Sequence, residues 1–279
     1  MIRAMAFDFP NIDPVAFSLG PLVVRWYALA YVAGFLLGWK YCLSLIKNRY
    51  PEGARPHKDD IDDFLPWAIV GVILGGRLGY VLFYQSGFYF ENPMEILKIW
   101  RGGMSFHGGV CGVIAASYFY SRLKKFSFLK LCDLLACATP IGLFFGRIAN
   151  FINGELYGRI TDMPWAVRFP HGGYEPRHPS QLYEAILEGA LLFAALYWLV
   201  KRASIRLHAG ILSGVFLIGY GASRFFVEFY REPDAHIGLV LDVVSMGQIL
   251  CLPMILGGAI LIVYARRKTD KSWNSSETL

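Results

Sequence analysis

Apolar residues collect along the chain in seven long runs, at about 22–46, 64–84, 105–121, 130–151, 181–200, 210–229 and 243–264. Crossing the hydrocarbon core of a bilayer as helix takes roughly 20 apolar residues. Each run is therefore predicted to be a membrane-spanning helix, with 105–121 the shortest. The expected fold is an all-α polytopic membrane protein of about seven transmembrane helices. A single integral membrane domain occupies 1–279, with a small extracytoplasmic loop region at 152–180 and a cytoplasmic tail at 265–279.

Composition agrees with the pattern. Hydrophobic residues make up 55% of the 279 and aromatic residues 16%, against 17% charged, which is too apolar for an ordinary soluble enzyme. The opening MIRAMAFDFPNIDPVAFSLG carries acids and prolines and lacks a basic start followed by a continuous apolar core, so no cleavable signal peptide is expected and the first span does its own targeting. Cys42, Cys111, Cys132, Cys137 and Cys251 all fall in apolar runs without metal-ligand spacing. They read as buried small residues, and neither a metal nor a cofactor is expected.

The net charge of +6 changes the picture only through its distribution. Lys47, Arg49, Arg55, Lys58, Arg122, Lys124, Lys125, Lys130, Lys201, Arg202, Arg206, Arg266, Arg267, Lys268 and Lys271 lie in alternate loops. The opposite loops hold only Arg3, Lys98, Arg101, Arg159, Arg168, Arg177 and Arg231. The positive-inside rule then predicts an outer N-terminus and a cytoplasmic C-terminus, and explains the basic balance without nucleic acid.

Against this background the polar residues inside the runs stand out. GRIANFINGELYGR, 146–159, follows the apolar LCDLLACATPIGLFF directly. On a continuing helix Arg147, Asn150 and Gly154 would share one face. Counting about 1.5 Å per residue from the predicted span ends brings Arg25, Arg77, His107, Arg147 and Arg224 to the outer half of the bilayer, while Lys40 reaches the inner headgroups by snorkelling. Tyr220, Arg224, Glu228 and Arg231 are spaced to form one narrow helical stripe. Glycines accompany them: Gly75, Gly76 and Gly79 around Arg77, Gly108 and Gly109 after His107, and Gly219 and Gly221 around Tyr220. Such residues permit close helix packing or the approach of a ligand to the backbone. Carboxylates at comparable depth are few, chiefly Glu228 and Glu155, with Glu184 and Glu188 on the fifth span, so the arginines are expected to be unpaired and to seek an external anion, for which a phospholipid headgroup suits the guanidinium fork.

His107, in GGMSFHGG, is the histidine of this outer cluster and can exchange a proton near neutral pH. RHPSQLYE, 177–184, reads as a capped helix start. His57 and Asp62 have an H-x-x-x-x-D spacing, and Asp59, Asp60 and Asp63 imitate a metal-binding cluster. Both lie in a charged segment leading into a helix, where acids favour the macrodipole. No nucleophile elbow, zinc-protease motif, P-loop or dinucleotide fingerprint is present in the sequence.

GRIANFINGELYG resembles the signature of prolipoprotein diacylglyceryl transferases, bacterial inner-membrane enzymes. The resemblance extends through RWYALAY, LGGRLGYVLFY, GGMSFHGG, RHPSQLYE, LIGYGASRFFVEFYREPDA and SMGQIL. It implies transfer of the diacylglyceryl group of phosphatidylglycerol to the lipobox cysteine thiol of a prolipoprotein signal peptide, forming a thioether and releasing glycerol phosphate as the first step of lipoprotein maturation. It implies an inner-membrane location, multi-pass, with the active site toward the outer half, and phosphatidylglycerol, the prolipoprotein and membrane lipids as partners. By resemblance His107, Arg147 and Arg224 are the expected catalytic residues. Tyr27, Asn150, Glu155, Gly158, Tyr220, Glu228 and Arg231, together with Arg77 and Asn153, are expected to bind substrate. A transporter or flippase for an anionic lipid or solute would also gather arginines between helices, but no internal inverted repeat is visible and the cations lie toward one face.

Overall fold

The computed structural model describes residues 6–10, 12–20, 22–206, 208–232, 239–240 and 244–267. Arg3, Lys268 and Lys271 of the charge pattern lie outside them, as do the expected start of the seventh span at 243, the 268–279 part of the tail and the Pro233–Ala235 end of the REPDA motif. Helices coincide with all seven apolar runs: α1 (Trp26–Arg49), α2 (Lys58–Phe83), then the short α3 (Ser86–Glu91), α4 (Phe106–Leu123) and α5 (Phe128–Ile152). After the loop region come α6 (Ser180–Glu184), a π-helical segment (Ala185–Leu191), α7 (Leu192–Val200), α8 (Ala203–Arg206), α9 (Ile211–Val227) and α10 (Met246–Arg267). Five of these, α1, α2, α5, the continuous Ser180–Val200 and α10, are long and apolar enough to cross a membrane among the described residues. Many large apolar side chains on them face outward, among them Phe35, Leu36, Leu252, Leu256 and Ile260. Lipid is the solvent in which that exposure is stable, since a helix satisfies its own backbone.

The expectation of an all-α chain needs one amendment, because short strand pairs form outside the helices. β1 (Phe7–Asp8) runs parallel to β4 (Val167–Arg168), and β5 (Leu239–Val240) pairs with β6 (Val244–Ser245). β2 (Val15–Leu19) pairs antiparallel with β3 (Leu22–Arg25). This hairpin removes 22–25 from the first span, whose helix starts at Trp26. Gly20, at φ +58°, supplies the left-handed residue of the turn, and the β-branched Val23 and Val24 favour the strand. Arg25 therefore closes a hairpin rather than opening a helix.

Two compact units divide the chain: Leu43–Cys132, and Met1–Cys42 with Asp133–Leu279. In the first, α2 and α4 pack backbone to backbone. A Cβ added to Gly75 would lie 2.7 Å from Gly112 Cα, and one on Gly79 would lie 2.7 Å from Gly108 Cα. The glycines around Arg77 and His107 thus serve helix contact, as small residues do where lipid gives no hydrophobic drive. The acids of KDDIDD begin α2. Asp60 is buried, accepts from the His57 backbone N–H at 2.8 Å and pairs with Arg55, while the Tyr120 hydroxyl donates to its carbonyl at 2.8 Å. Asp60 is thereby taken up by the helix start and its ion pair, and no group of three or more metal-binding side chains occurs among the described residues. Lys130, expected in a loop, is buried in the first turn of α5. Cys111, expected to be buried, is exposed on α4.

In the second unit α1 and α5 meet at glycine: a Cβ on Gly34 would lie 2.9 Å from Gly142 Cα. Gly219 and Gly221 likewise fit against Leu192 and Ile255. Asp133, fully within α5 and buried, ties that helix to α9. Its carboxylate accepts from the Gly210 N–H at 2.8 Å, the Ser213 N–H at 2.7 Å and the Ser213 hydroxyl at 2.6 Å. It caps α9 from another helix, satisfying N–H groups that a helix start leaves open. Asp133→Ala is expected to lower stability by about 1–3 kcal/mol, read as a lower midpoint in thermal unfolding of the solubilised protein; an unchanged midpoint would show that the cap is dispensable.

Candidate active site

The GRIANFINGELYGR run begins as helix and ends as a turn. α5 stops at Ile152, and Gly154 adopts φ +65°. The Gly154 N–H donates to the Phe151 carbonyl at 2.9 Å and the Glu155 N–H to the Asn150 carbonyl at 3.1 Å, a Schellman termination that requires a left-handed residue at that position. Gly154 is therefore off the face it was expected to share with Arg147 and Asn150. The turn instead folds Glu155 back, so that its Oε1 accepts from Asn150 Nδ2 at 2.8 Å and Asn153 Nδ2 at 3.2 Å. Leu156 follows at φ +57°, a strained conformation for a side chain of its kind.

Residues of RHPSQLYE hold this turn. Ser180 donates to the Leu156 carbonyl at 3.0 Å and Gln181 Nε2 to the Glu155 carbonyl at 2.6 Å, so neither completes the capping box read from the sequence. Both are fully buried. His178 Nδ1 lies 3.0 Å from the Tyr183 hydroxyl, and burial pushes its imidazole below the ordinary value, favouring the neutral ring. Gly158 is needed for close approach: a Cβ there would sit 2.7 Å from His178 Cβ and 2.9 Å from the His178 carbonyl oxygen. Through it the loop bridges to Arg231, and the Gly158 N–H donates to the His178 carbonyl at 2.8 Å.

Above this frame the arginines converge on glutamates. Arg147 Nε lies 3.1 Å from Glu184 Oε2, and its Nη2 3.5 Å from Glu188 Oε2. Arg224 pairs with Glu184 and with Glu228, and Arg231 reaches Glu184 at 3.1 Å and Glu228 at 3.9 Å. Glu184 and Glu188 are 0% exposed. The expectation of unpaired arginines is thereby corrected: Arg147, Arg224 and Arg231 face Glu184, Glu188 and Glu228 in equal number. A guanidinium in a low-dielectric site is far costlier alone than beside a carboxylate. Arg231 joins the cluster from beyond the end of α9, by a turn and the bridge to Gly158 rather than along a continuous helical stripe.

Glu228, at the C-terminal end of α9, reaches the start of α10. Its Oε2 accepts from the Ser245 hydroxyl at 2.8 Å. Ser245 and Gln248 form a capping box, with the Gln248 N–H donating to Ser245 Oγ at 3.1 Å and the Ser245 N–H to Gln248 Oε1 at 3.0 Å. Tyr220, stacked on Phe216, is an electrostatic neighbour of Arg147, Arg224, Glu184 and Glu188. Tyr27 shares a hydroxyl contact of 3.0 Å with Tyr31 and lies within electrostatic range of Glu155 and Arg147.

The structure thus brings Tyr27, Arg147, Asn150, Asn153, Glu155, Gly158, Tyr220, Arg224, Glu228 and Arg231 into one unit. Arg77 and His107 belong to the other. Arg77, expected to bind substrate, is buried with a structural task. Its Nε donates to the Ile96 carbonyl at 2.8 Å, Nη1 to Gly102 and Gly103 at 2.6 and 3.1 Å, and Nη2 to Glu95 and Lys98 at 2.6 and 3.4 Å. All five donors of the guanidinium are engaged, fastening the segment between α2 and α4. His107 is exposed in the first turn of α4 with its ring T-shaped to Phe106. The sequence reading passed over Glu184 and Glu188 as site residues, although two acids one helical turn apart in an apolar run were the available signal.

The family model described as prolipoprotein diacylglyceryl transferase matches residues 14–264. The chain belongs to the prolipoprotein diacylglyceryl transferase family. It is 57% identical over 266 residues to the phosphatidylglycerol–prolipoprotein diacylglyceryl transferase of Azospirillum brasilense, covering 95% of this chain and 98% of that one. It is 53% identical over 268 residues to the transferase of the same name from Paramagnetospirillum magneticum, covering 96% and 98%, and 56% identical over 260 residues to that of Rhodospirillum centenum, covering 92% and 93%. Membership in this transferase family fits a bacterial membrane protein whose ionisable residues cluster between helices.

Because Glu184 is shared by all three arginines, Glu184→Ala is expected to destabilise the fold by about 3–5 kcal/mol, the range for removing one partner of a buried ion pair. Denaturation of the purified variant measures this; a variant as stable as the parent would contradict the role of Glu184 as the common counter-charge.

Proposed function

We propose that this protein transfers the diacylglyceryl group of phosphatidylglycerol to the lipobox cysteine thiol of a prolipoprotein, releasing glycerol phosphate. One observation carries the site assignment: Arg147 is held between Glu184 and Glu188 by ion contacts that lack hydrogen-bond geometry, leaving Glu184 Oε2 and both Glu188 oxygens without a hydrogen bond among the described residues. Its guanidinium edge can therefore turn to a phosphate, whereas Arg77 has no donor to offer. Family membership favours transfer over transport of an anionic lipid or solute.

In the reaction the thiolate attacks the glycerol carbon that bears the phosphate ester. A carbon–sulfur bond forms, the carbon–oxygen bond breaks, and charge develops on the leaving phosphate. Arg147 and Arg224 stabilise that charge in a water-poor site. The thiol loses its proton first, with His107 as the base. Asn150 and Asn153 hold Glu155, and Tyr27, Gly158, Tyr220, Glu228 and Arg231 shape the headgroup site around them. Arg77 supports the segment leading to His107.

The same reading assigns α4 and α9 as spans beside the five longer helices, making seven within one membrane domain. The N-terminus then lies outside the inner membrane, the C-terminus in the cytoplasm and the arginine cluster in the outer half of the bilayer. The concentration of lysine and arginine in alternate loops supports it.

Purified protein given phosphatidylglycerol and a lipobox peptide is expected to form the thioether. Arg147→Ala should lower turnover by about 10²-fold or more while the variant still inserts and purifies; near-parental turnover would remove the phosphate-site argument. In the same assay His107→Gln should be slower and lack the acid limb that a histidine base imposes on the pH–rate profile, and a retained limb would place the base elsewhere.

A further inference from the structure

Five carboxylates are buried among the described residues: Asp60, Asp133, Glu184, Glu188 and Glu228. Four have hydrogen-bond or ion-pair partners that hold them. Asp60 holds Arg55, Asp133 accepts three hydrogen bonds from the start of α9, Glu184 accepts from Arg224 and Arg231, and Glu228 accepts from Ser245 and pairs with Arg224. Glu188 differs. Among the described residues it is 0% exposed, neither oxygen accepts a hydrogen bond, and its one ion contact is the 3.5 Å approach of Arg147. It also stands on the π-helical segment Ala185–Leu191, a departure from α-helix that is rare and concentrated at functional sites.

Charge balance says what such a residue can do. With Glu184, Glu188 and Glu228 ionised, the cluster of Arg147, Arg224 and Arg231 is already neutral. A phosphodiester entering it brings one further negative charge into a low-dielectric site, where like charges within a few ångströms repel strongly. The arginines cannot relieve this, since each guanidinium is already fully protonated and can take up no further proton. Protonating the least stabilised carboxylate can. The charged and titratable groups around Glu188 are Glu184 on its own helix, Arg147 from α5, Tyr220 and Arg224 from α9, Arg231 beyond it, and Cys251 from α10. Of the glutamates, Glu188 loses least on protonation.

We propose that Glu188 takes up a proton when the phosphate of the lipid headgroup binds Arg147, and returns it when glycerol phosphate leaves. The proton comes from water and goes back to it, and Glu188 forms no bond to substrate. It is a positioning residue: once neutral, it releases Arg147 Nη2 from the 3.5 Å contact so that the guanidinium can present two donors to phosphate oxygens. The inference rests on the transfer reading and on Arg147 as the phosphate-holding residue.

Calorimetry of the full-length protein with phosphatidylglycerol in mixed micelles, without acceptor peptide, tests it in two buffers of different ionisation enthalpy. The parent protein is expected to take up about one proton per lipid bound, so that its apparent Kd for the lipid rises about tenfold per pH unit over the titration of Glu188. Glu188→Gln, uncharged at every pH, should bind with no uptake and a flat Kd, whereas diacylglycerol, which lacks the phosphate, should cause no uptake in either protein. Zero uptake by the parent protein, or the parental pH slope in Glu188→Gln, would overturn the proposal. The parent measurement decides the question alone if the variant does not fold. Failure of the parent to form thioether from lipid and peptide would sink the transfer reading instead, whereas thioether formation with zero uptake would sink only the role of Glu188.

Discussion

Everything around the candidate site depends on neutralising guanidinium groups that are largely withdrawn from solvent between apolar helices. An arginine in that setting is stabilised only by a carboxylate held close, and Glu184 supplies one to three arginines at once. Its position follows from the segment before it. Ser180 and Gln181 clamp the GELYG turn, that turn ends the Arg147 helix, and one helical turn later Glu184 and then Glu188 meet the arginines. The two motifs that look like separate signatures in the sequence are thus halves of one construction. Glu228, fixed by Ser245 at the start of α10, closes it from the other side.

A fully compensated cluster is also what makes the chemistry plausible. Free arginines facing lipid would bind any passing anion, and a tightly hydrogen-bonded pair would bind none. Arg147 lies between these limits: it is charge-balanced, yet joined to its glutamates without hydrogen-bond geometry. Arg224, by contrast, is hydrogen-bonded to Glu184, and it can act on the leaving phosphate through its field without leaving its partner.

Much of this was legible in the sequence, and for physical reasons. Apolar runs long enough to cross a bilayer have few alternative uses, so helices appear at all seven of them. Arg147, Asn150, Tyr220, Arg224 and Glu228 stand out because polar groups in such runs are costly. The rest was hidden where one residue type serves two purposes. Gly154 reads as part of a helix face but is the left-handed residue that ends the helix. Gly75, Gly79 and Gly108 could have admitted a ligand but admit a neighbouring helix. Arg77 has the same sequence context as Arg147, and only the loop carbonyls around it reveal a structural task. Glu184 was visible as an acid at the arginines' depth but read as part of a helix cap rather than as their shared partner, and the Val15–Arg25 hairpin was hidden by apolar residues that suit a strand as well as a span.

The central claim is that the Arg147–Glu184–Glu188 arrangement holds the phosphate of the lipid donor. An experimental density map of the protein reconstituted with phosphatidylglycerol tests it most directly. The account predicts phosphate within about 3 Å of the Arg147 guanidinium, the distance of a charge-assisted hydrogen bond, with Glu184 still joined to Arg224 and Arg231. A lipid phosphate bound elsewhere, with Arg147 unmoved between its two glutamates, would contradict it.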